Sequence, residues 1–221
     1  RYLYDKGEYD PAAEQSFAPA LVNRIDRNTS GIVIAAKTAL ALRILNEKLK
    51  AREIQKYYLT IVHGQMPRAE DTLEGYLEKD EVHNRVHISS TARQGARTIR
   101  TRYRVLEQHD GLSLLEIHLL TGRTHQIRVH MSWQGHPLFN DERYGGNRIL
   151  KGTTFMKYKQ FIENCFKLIP RQSLHARALG FEHPTTGKYV QFESELPEDL
   201  KAVLQKWETY TDSVGLDLDE V

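Results

Sequence analysis

The pattern of hydrophobic and polar positions predicts a strand, a helix and a second strand in the first third of the chain. An unbroken apolar run at residues 31–36 predicts a buried strand. Apolar residues then recur at helical spacing over residues 42–49, and Thr38 before them is a suitable N-terminal cap. The run 56–62 is rich in tyrosine and β-branched residues, which favours another strand. Asp26 therefore lies in a loop that enters a strand–helix unit.

The middle of the chain is predicted to form a β-hairpin followed by a helix. Strand-like runs at residues 98–106 and 113–120 flank an Asp-Gly pair, which is a strong hairpin signal. After the second strand, Thr124 can cap a helix over residues 125–134, and Gly135 can end it. A short polar turn thus connects the hairpin to the helix.

The last third is predicted to hold an irregular insertion, a second hairpin and a closing helix. Residues 146–170 form the insertion, with a helix at 158–166. The runs 174–182 and 188–193 flank a turn signal that contains proline and glycine. Pro197 then begins a helix, which we expect to end near Thr209.

This order of elements predicts a single α+β domain over residues 1–221. The strands are joined mainly by hairpins, so the central sheet should be mixed and mainly antiparallel, with helices on its flanks. The chain starts abruptly in a polar stretch without a methionine, which predicts that an N-terminal part of the protein precedes it. Residues 211–221 are predicted to be a flexible acidic tail.

Composition favours a soluble, cytoplasmic protein. A chain of 221 residues, of which 40% are hydrophobic, can bury a core. No segment approaches the roughly 20 apolar residues of a membrane-spanning helix, and residues 1–10 are too polar for a signal peptide. The single cysteine, Cys165, excludes an internal disulfide. Without a heptad or a long apolar seam, we expect a monomer with no membrane partner.

The distribution of charge favours a polyanionic partner. The formal net charge is only +2, but several acidic residues lie in the C-terminal tail, so the body of the chain is more basic than this value. Arginine binds phosphate through a planar fork of donors, and arginines are concentrated in one stretch. A charge run alone is more often a solvated strand face. The arginines are Arg85, Arg93, Arg97, Arg100, Arg102 and Arg104.

Three features carry candidate chemistry. Asp26 lies two residues after Arg24, and a neighbouring arginine favours the ionised, nucleophilic form of a carboxylate. Residues 121–130 are dense in groups that bind anions or form directed hydrogen bonds, and Tyr58 lies in a predicted strand. Each feature alone has a more ordinary interpretation, as a turn aspartate, an exposed helix face and a packing tyrosine.

Two other kinds of active site can be assembled from these residues, and neither is favoured. His125, His130 and His136 are offset by five and six positions, which does not stack them on one helix face as a zinc site requires. A triad of Ser30, His125 and Asp26 lacks the Gly-x-Ser-x-Gly elbow of hydrolases. We therefore expect no metal in the site.

Four motifs, taken in their order along the chain, resemble the RluA-type pseudouridine synthases. Residues 23–31 are similar to the family's His-Arg-Leu-Asp-x-x-Thr-Ser-Gly signature, with Asn23 in place of the usual histidine. Residues 56–64 resemble its Lys-x-Tyr-x-Ala-x-Val-x-Gly strand, and residues 121–130 resemble its Thr-Gly-Arg-x-His-Gln-Ile-Arg block. Residues 171–184 match its late Leu-His-Ala and Phe-x-His-Pro signature. One such motif is weak evidence, whereas four in the family's order are specific.

The resemblance implies the pseudouridine synthase fold, with a central RNA-binding cleft, and an enzyme that isomerises uridine in RNA without a cofactor. The bond between uracil N1 and the ribose breaks, the base turns, and it is rejoined through carbon. Asp26 would be the essential carboxylate, Tyr58 would stack on the target base, and Arg128 would pair with Asp26 and aim it. Further RNA contacts implied by the resemblance are Arg24, which would fill the space left by the flipped uridine, Thr29, Arg123, His125 and Gln126.

Two alternatives stay open. Large-subunit ribosomal RNA is favoured as the partner, but transfer RNA is also compatible, because the catalytic motifs do not separate the two. A module that keeps the fold and binds RNA without activity is the alternative to an enzyme. The presence of Asp26, Tyr58 and Arg128 together argues against it, because a binding module would not need that carboxylate.

Overall fold

The computed structural model describes residues 1–14, 16–80, 85–109, 111–150 and 156–218. The helices are α1 (Tyr2–Asp5), α2 (Ala39–Ala51), α3 (Gln126–Trp133), α4 (Met156–Leu168) and α5 (Glu198–Leu218). The strands are β1 (Ala20–Leu21), β2 (Ser30–Gly31), β3 (Ala35–Ala36), β4 (Gln55–His63), β5 (Glu70–Asp80), β6 (Arg85–Ser89), β7 (Arg97–His109), β8 (Leu112–Leu119), β9 (Leu174–Glu182) and β10 (Tyr189–Glu193).

A central sheet organises the molecule. Within the described ranges it has eight strands, in the order β10-β9-β4-β8-β7-β5-β6, with β2 beside β9. The neighbouring strands are antiparallel, except that β2 and β9 run parallel. β1 and β3 form a separate two-stranded sheet. The predicted α+β class, with a mixed and mainly antiparallel sheet and flanking helices, is confirmed.

β4 lies inside the sheet, between β8 and β9, because its sequence suits burial on both faces. Its residues from Tyr58 to His63 are all buried, as in a strand covered on both sides. The pairing with β9 shifts register between Tyr57 and Tyr58, whose partners are Ala178 and Ala176. The extra residue is Arg177 of β9, so β4 itself keeps a continuous register with β8 through Tyr57 and Tyr58.

Two apolar clusters stabilise the sheet. One packs α3 onto the strands and includes Met131 and Tyr103, both fully buried. The other joins α4 to α5 and includes Ile162 and Trp207. The predicted insertion at residues 146–170 therefore supplies a helix to a hydrophobic core.

The prediction of one buried strand over residues 31–36 is wrong. The chain instead forms β2 and β3 with a break between them, because the two halves pair with different partners. β2 runs parallel to β9, whereas β3 is antiparallel to β1. The parallel contact continues for one residue, since the Ile32 amide donates to the Ala176 carbonyl at 3.0 Å.

The predicted helices are present, with different ends. Thr38 caps α2 as expected, accepting a hydrogen bond from the Ala41 amide at 3.2 Å. Thr124 does not cap α3: the N-cap is His125, whose backbone is left-handed and whose side chain makes no capping bond. The last helix continues to Leu218 instead of ending near Thr209.

Both predicted hairpins are confirmed. The first consists of β7 and β8, although Asp110 of its turn lies outside the described residues, and the second consists of β9 and β10. None of the described helices is both long enough and apolar enough to cross a membrane.

Candidate active site

The loop that carries Asp26 is a tight turn held between two short strands. This Asp26 loop comprises residues 23–29. The Thr29 amide donates to the Asp26 carbonyl at 3.0 Å, and Asn28 has a positive φ of 67°. Asn23, which replaces the usual histidine of the motif, accepts a hydrogen bond from the Ile34 amide at 2.8 Å through its Oδ1. Asn23 thus braces the loop against the chain that follows it.

Gly31 allows the Asp26 loop to lie directly on the sheet. Its φ is 113°, and a Cβ at this position would collide with the backbone of Ala176 in β9. Only glycine combines this conformation with so close an approach. The Thr-Ser-Gly end of the first motif is therefore explained by contact with a strand that lies far away in the sequence.

Two residues just before β9 hold the Asp26 loop from outside. Arg171 donates from Nη1 to the Asn28 carbonyl at 3.1 Å and forms a two-pronged ion pair with Asp199, at 2.7 and 2.9 Å. Gln172 donates to the Arg27 carbonyl at 2.7 Å. Sequence reasoning missed these roles, because the partners are more than 140 positions apart in the chain.

Arg128 lies behind Asp26 and is held by a second carboxylate. Its Nη1 is 3.7 Å from Asp26 Oδ2, whereas its Nε and Nη2 donate to Asp141 at 2.7 and 2.8 Å. The Asp141 side chain is fully buried, and that of Arg128 is 8% exposed. The predicted proximity of Arg128 and Asp26 is present, but the tighter partner of Arg128 is Asp141.

Asp141 and Tyr144 complete the surroundings of Arg128. Asp141 Oδ1 also accepts from the backbone amides of Arg143 and Tyr144, at 3.1 and 3.2 Å. The guanidinium of Arg128 lies over the Tyr144 ring, 5.1 Å from its centre. Burial opposes the charge on Arg128, but the hydrogen bonds and charge of Asp141 outweigh this effect, so that the pKa of Arg128 is raised. Sequence reasoning gave neither Asp141 nor Tyr144 a role.

Tyr58 is buried next to Asp26. The tyrosine is 7% exposed, and burial, together with the nearby charge of Asp26, raises its pKa to about 12. Its hydroxyl therefore remains protonated throughout the physiological range. This favours a role for Tyr58 in packing against a nucleobase. Near neutral pH its protonated hydroxyl is a poor proton acceptor.

Asp26 and Tyr58 meet in one basic cleft of about 830 Å³, and Arg128 lies behind its wall. Asp26 and Tyr58 both line it, and Asp26, with 22% of its side chain exposed, is the one carboxylate among the described residues of the lining. Six cations share the wall, and none forms an ion pair within the described part of the chain. We call them the cleft cations: Arg24, Arg27, Lys50, Arg52, Lys56 and Arg123.

The predicted RNA contacts divide into two groups. Arg24 and Arg123 are exposed in the cleft, and His125, which is half-buried there, binds the Tyr144 hydroxyl through Nδ1 at 2.8 Å. Burial lowers the pKa of His125, and the nearby charge of Asp26 partly offsets this. All three side chains line the cleft, and their contact with RNA stays a prediction.

Thr29 and Gln126 also line the cleft, but their polar groups are already used within the protein. Gln126 is 2% exposed; its amide nitrogen donates to the Arg100 carbonyl and to Thr101 Oγ1, both at 3.0 Å. Its oxygen accepts from Thr121 Oγ1 at 2.8 Å. Thr29 is buried and accepts from Gln172. Both side chains therefore brace the protein around the cleft, and their contact with RNA stays a prediction.

The arginine-rich stretch lies on the strands beside the cleft, and its charges are largely paired. Arg100 binds Glu74 at 2.8 Å, and Arg102 binds Glu70 at 3.0 Å, across the contact between β7 and β5. Arg93 lies 3.8 Å from Glu78, and Arg104 binds Glu116 at 3.0 Å. We call this surface the arginine face: Arg93, Arg100, Arg102 and Arg104 with their glutamates. Its net charge is small, which weakens the prediction that it holds RNA phosphates.

The three histidines considered for a metal site serve separate structures. His125 binds Tyr144, His130 lies 3.0 Å from Thr101 Oγ1, and His136 lies 2.9 Å from the His63 carbonyl. Over the described ranges, no group of three metal-ligating side chains converges.

The fold and the cleft define an α+β protein in which one ionisable acid faces a basic groove beside a buried tyrosine. A family model described as RNA pseudouridylate synthase matches residues 1–133. The chain therefore belongs to the RNA pseudouridylate synthase family.

Individual relatives agree with this assignment. The chain is 37% identical, over 90% of its length, to an "Uncharacterized RNA pseudouridine synthase" of Chlorobaculum parvum, of which it covers 61%. It is also 37% identical, over 84% of its length, to "Ribosomal large subunit pseudouridine synthase C" of Haemophilus influenzae, of which it covers 54%. The chain thus spans somewhat more than half the length of these curated relatives.

Solved structures agree on the fold. The structure of "Human RNA Pseudouridylate Synthase Domain Containing 1" aligns with a TM-score of 0.63 and 26% identity, over 81% of this chain and 70% of that one. "Human RNA Pseudouridylate Synthase Domain Containing 4" aligns with a TM-score of 0.66 over 87% of this chain and 77% of that one, at 20% identity, which supports the fold alone.

Proposed function

We propose that this chain isomerises uridine in RNA to pseudouridine, with Asp26 as the essential carboxylate. The observation that carries the proposal is the contrast within the cleft: among the described residues, a single acid faces six cations that have no carboxylate partner, beside a buried tyrosine. The cations attract the RNA backbone, whereas the acid repels it, and an acid that lowers affinity in this way is typical of a group that takes part in the chemistry.

Each residue around Asp26 has a role in this proposal. Arg128, itself held by Asp141, keeps the carboxylate in one orientation from 3.7 Å. Tyr58 stacks on the target uracil. Because a base stacked inside an RNA helix cannot reach an acid within a cleft, the uridine is flipped out, and Arg24 occupies the space that it leaves. The proposal needs no metal and no cofactor.

Large-subunit ribosomal RNA is the proposed substrate. Support comes from the relatives named ribosomal large subunit pseudouridine synthase C, which are 36–38% identical to this chain. Transfer RNA is the alternative. Comparing pseudouridine sites in total RNA from cells with and without the gene separates the two, because lost sites will fall in one class of RNA.

Asp26→Asn tests the catalytic proposal. The variant keeps the shape of the side chain, so RNA affinity should change only a few-fold, whereas pseudouridine formation should fall roughly 10³-fold or more. Asp71→Asn is the matched control, because Asp71 forms a surface pair with Arg68 outside the cleft. Turnover that persists in Asp26→Asn refutes the catalytic role. Binding without turnover in the parent chain supports the binding module instead.

A further inference from the structure

Lys56 differs from the other cleft cations in lying on the strand that carries Tyr58. It lies on β4, two residues before Tyr58, and both side chains line the cleft. Residues i and i+2 of a strand point to the same face and lie about 6.6 Å apart along it. A group bound at Lys56 is therefore within one nucleotide's reach of Tyr58.

Lys56 is half-buried without an anionic partner. Burial lowers the pKa of its ammonium group, and in the described part of the chain no carboxylate lies within ion-pair distance of it. Lys48 shows the usual arrangement: its side chain is 18% exposed, and its Nζ binds Glu53 at 3.0 Å and Glu182 at 2.7 Å. Enclosing a cation without a counter-charge costs free energy, which an anionic ligand can restore.

The turn after β8 leaves space for the ammonium group. A Cβ at Gly122 would lie 2.9 Å from Lys56 Nζ, so that any other residue there would press on it. His118, on the neighbouring strand β8, has a pKa lowered by burial and by the charges of Arg102 and Lys56, against the opposing effect of Glu116. His118 is therefore neutral at pH 7, and it supplies no negative charge to Lys56.

We propose that Lys56 binds a phosphate of the uridine that is isomerised. The ligand is a phosphodiester anion, which suits a compact ammonium charge. In this scheme Arg24 fills the space left by the uridine and the remaining cleft cations hold flanking phosphates, whereas Lys56 holds the reacting nucleotide while Tyr58 contacts its base. The inference rests on the proposed function for the identity of that nucleotide, and it concerns binding alone.

A double-mutant cycle between protein and RNA tests the contact. The probe is a stem-loop RNA with one loop uridine, prepared with a single uncharged methylphosphonate at either phosphate of that uridine. Lys56→Met should weaken binding of the unmodified RNA by roughly tenfold to a hundredfold. One methylphosphonate should weaken binding to the parent chain similarly and have little further effect on Lys56→Met.

Two control variants keep the test interpretable. Lys50→Met removes a cleft cation at an exposed position. In this variant the same methylphosphonate should weaken RNA binding as much as it does in the parent chain. Lys159→Met, on the exposed side of α4, should leave RNA binding and turnover unchanged. Thermal unfolding of each variant checks that the fold is intact.

The outcomes separate this inference from the proposed function. If both methylphosphonates retain their full effect in Lys56→Met, or if that variant binds RNA as the parent does, the phosphate contact is refuted whatever the turnover. If the coupling is present but the parent chain forms no pseudouridine, the contact stands and the proposed isomerisation fails.

Discussion

The cleft and the arginine face are both rich in cations, yet they differ in how those cations are partnered. On the arginine face, each arginine has a glutamate of the central sheet within 2.8–3.8 Å. In the cleft, six cations have no carboxylate partner among the described residues, and the single acid present binds Arg128. Positive potential available to a polyanion therefore depends on pairing, and the number of arginines in a stretch does not reveal it.

The largest expected difference concerns the buried pair of Arg128 and Asp141. Asp141→Asn leaves a buried guanidinium with only Asp26 nearby, so we expect a loss of about 3 kcal/mol in the free energy of unfolding. Urea denaturation of the parent chain and the variant measures this loss. Glu70→Gln, which breaks an exposed pair with Arg102, should cost less than about 1 kcal/mol. Equal losses in the two variants would remove the distinction between the regions.

The next effect concerns the position of the Asp26 loop. Arg171→Met removes the bond to the Asn28 carbonyl and that to Ser30 Oγ, which is 3.1 Å long. A misplaced carboxylate should lower kcat by roughly tenfold to a hundredfold, with KM nearly unchanged. Steady-state kinetics on an RNA substrate give both constants.

Two further variants show whether Arg171 acts through its geometry. Arg171→Lys keeps the charge but loses the planar fork, so it should not restore kcat. Arg104→Met, on the arginine face, should change kcat by less than about twofold. A normal kcat in Arg171→Met would mean that the other contacts of the loop suffice.

The smallest effect concerns salt dependence. Arg123→Gln should reduce the slope of log K against log salt concentration by roughly 0.7–0.9, because one phosphate contact is lost. Arg102→Gln should leave the slope unchanged, whereas Glu70→Gln, which releases Arg102, should make it steeper. Titrations of RNA binding at several salt concentrations measure these slopes. A larger loss of slope in Arg102→Gln than in Arg123→Gln would reverse the assignment of the two surfaces.

The sequence predicted the parts of the fold that depend on local pattern. Hairpins, the cap at Thr38 and the sheet class follow from residues close together in the chain. The split of residues 31–36 into β2 and β3 does not, since it depends on which distant strand each half meets. Periodicity describes the face that a segment buries, and it says little about its partner.

The candidate site was predictable in its members and less so in its supports. The order of the motifs brought Asp26, Tyr58 and Arg128 together, and the structure places all three at the cleft or directly behind it. Asp141 and Arg171 were missed, because their importance comes from contacts across the fold. The pairing of the arginine face was missed for a related reason, since it needs the register that sets Arg100 opposite Glu74.

The parallel contact between Gly31 and Ala176 has a consequence for the order in which the molecule is assembled. During synthesis the Asp26 loop emerges first, and the strand on which it rests, together with the residues that clamp it, emerges about 140 positions later. Contacts at such separation form slowly, because a long stretch of chain must be closed first. The Asp26 loop thus reaches its place on the sheet only after the chain has been made as far as β9.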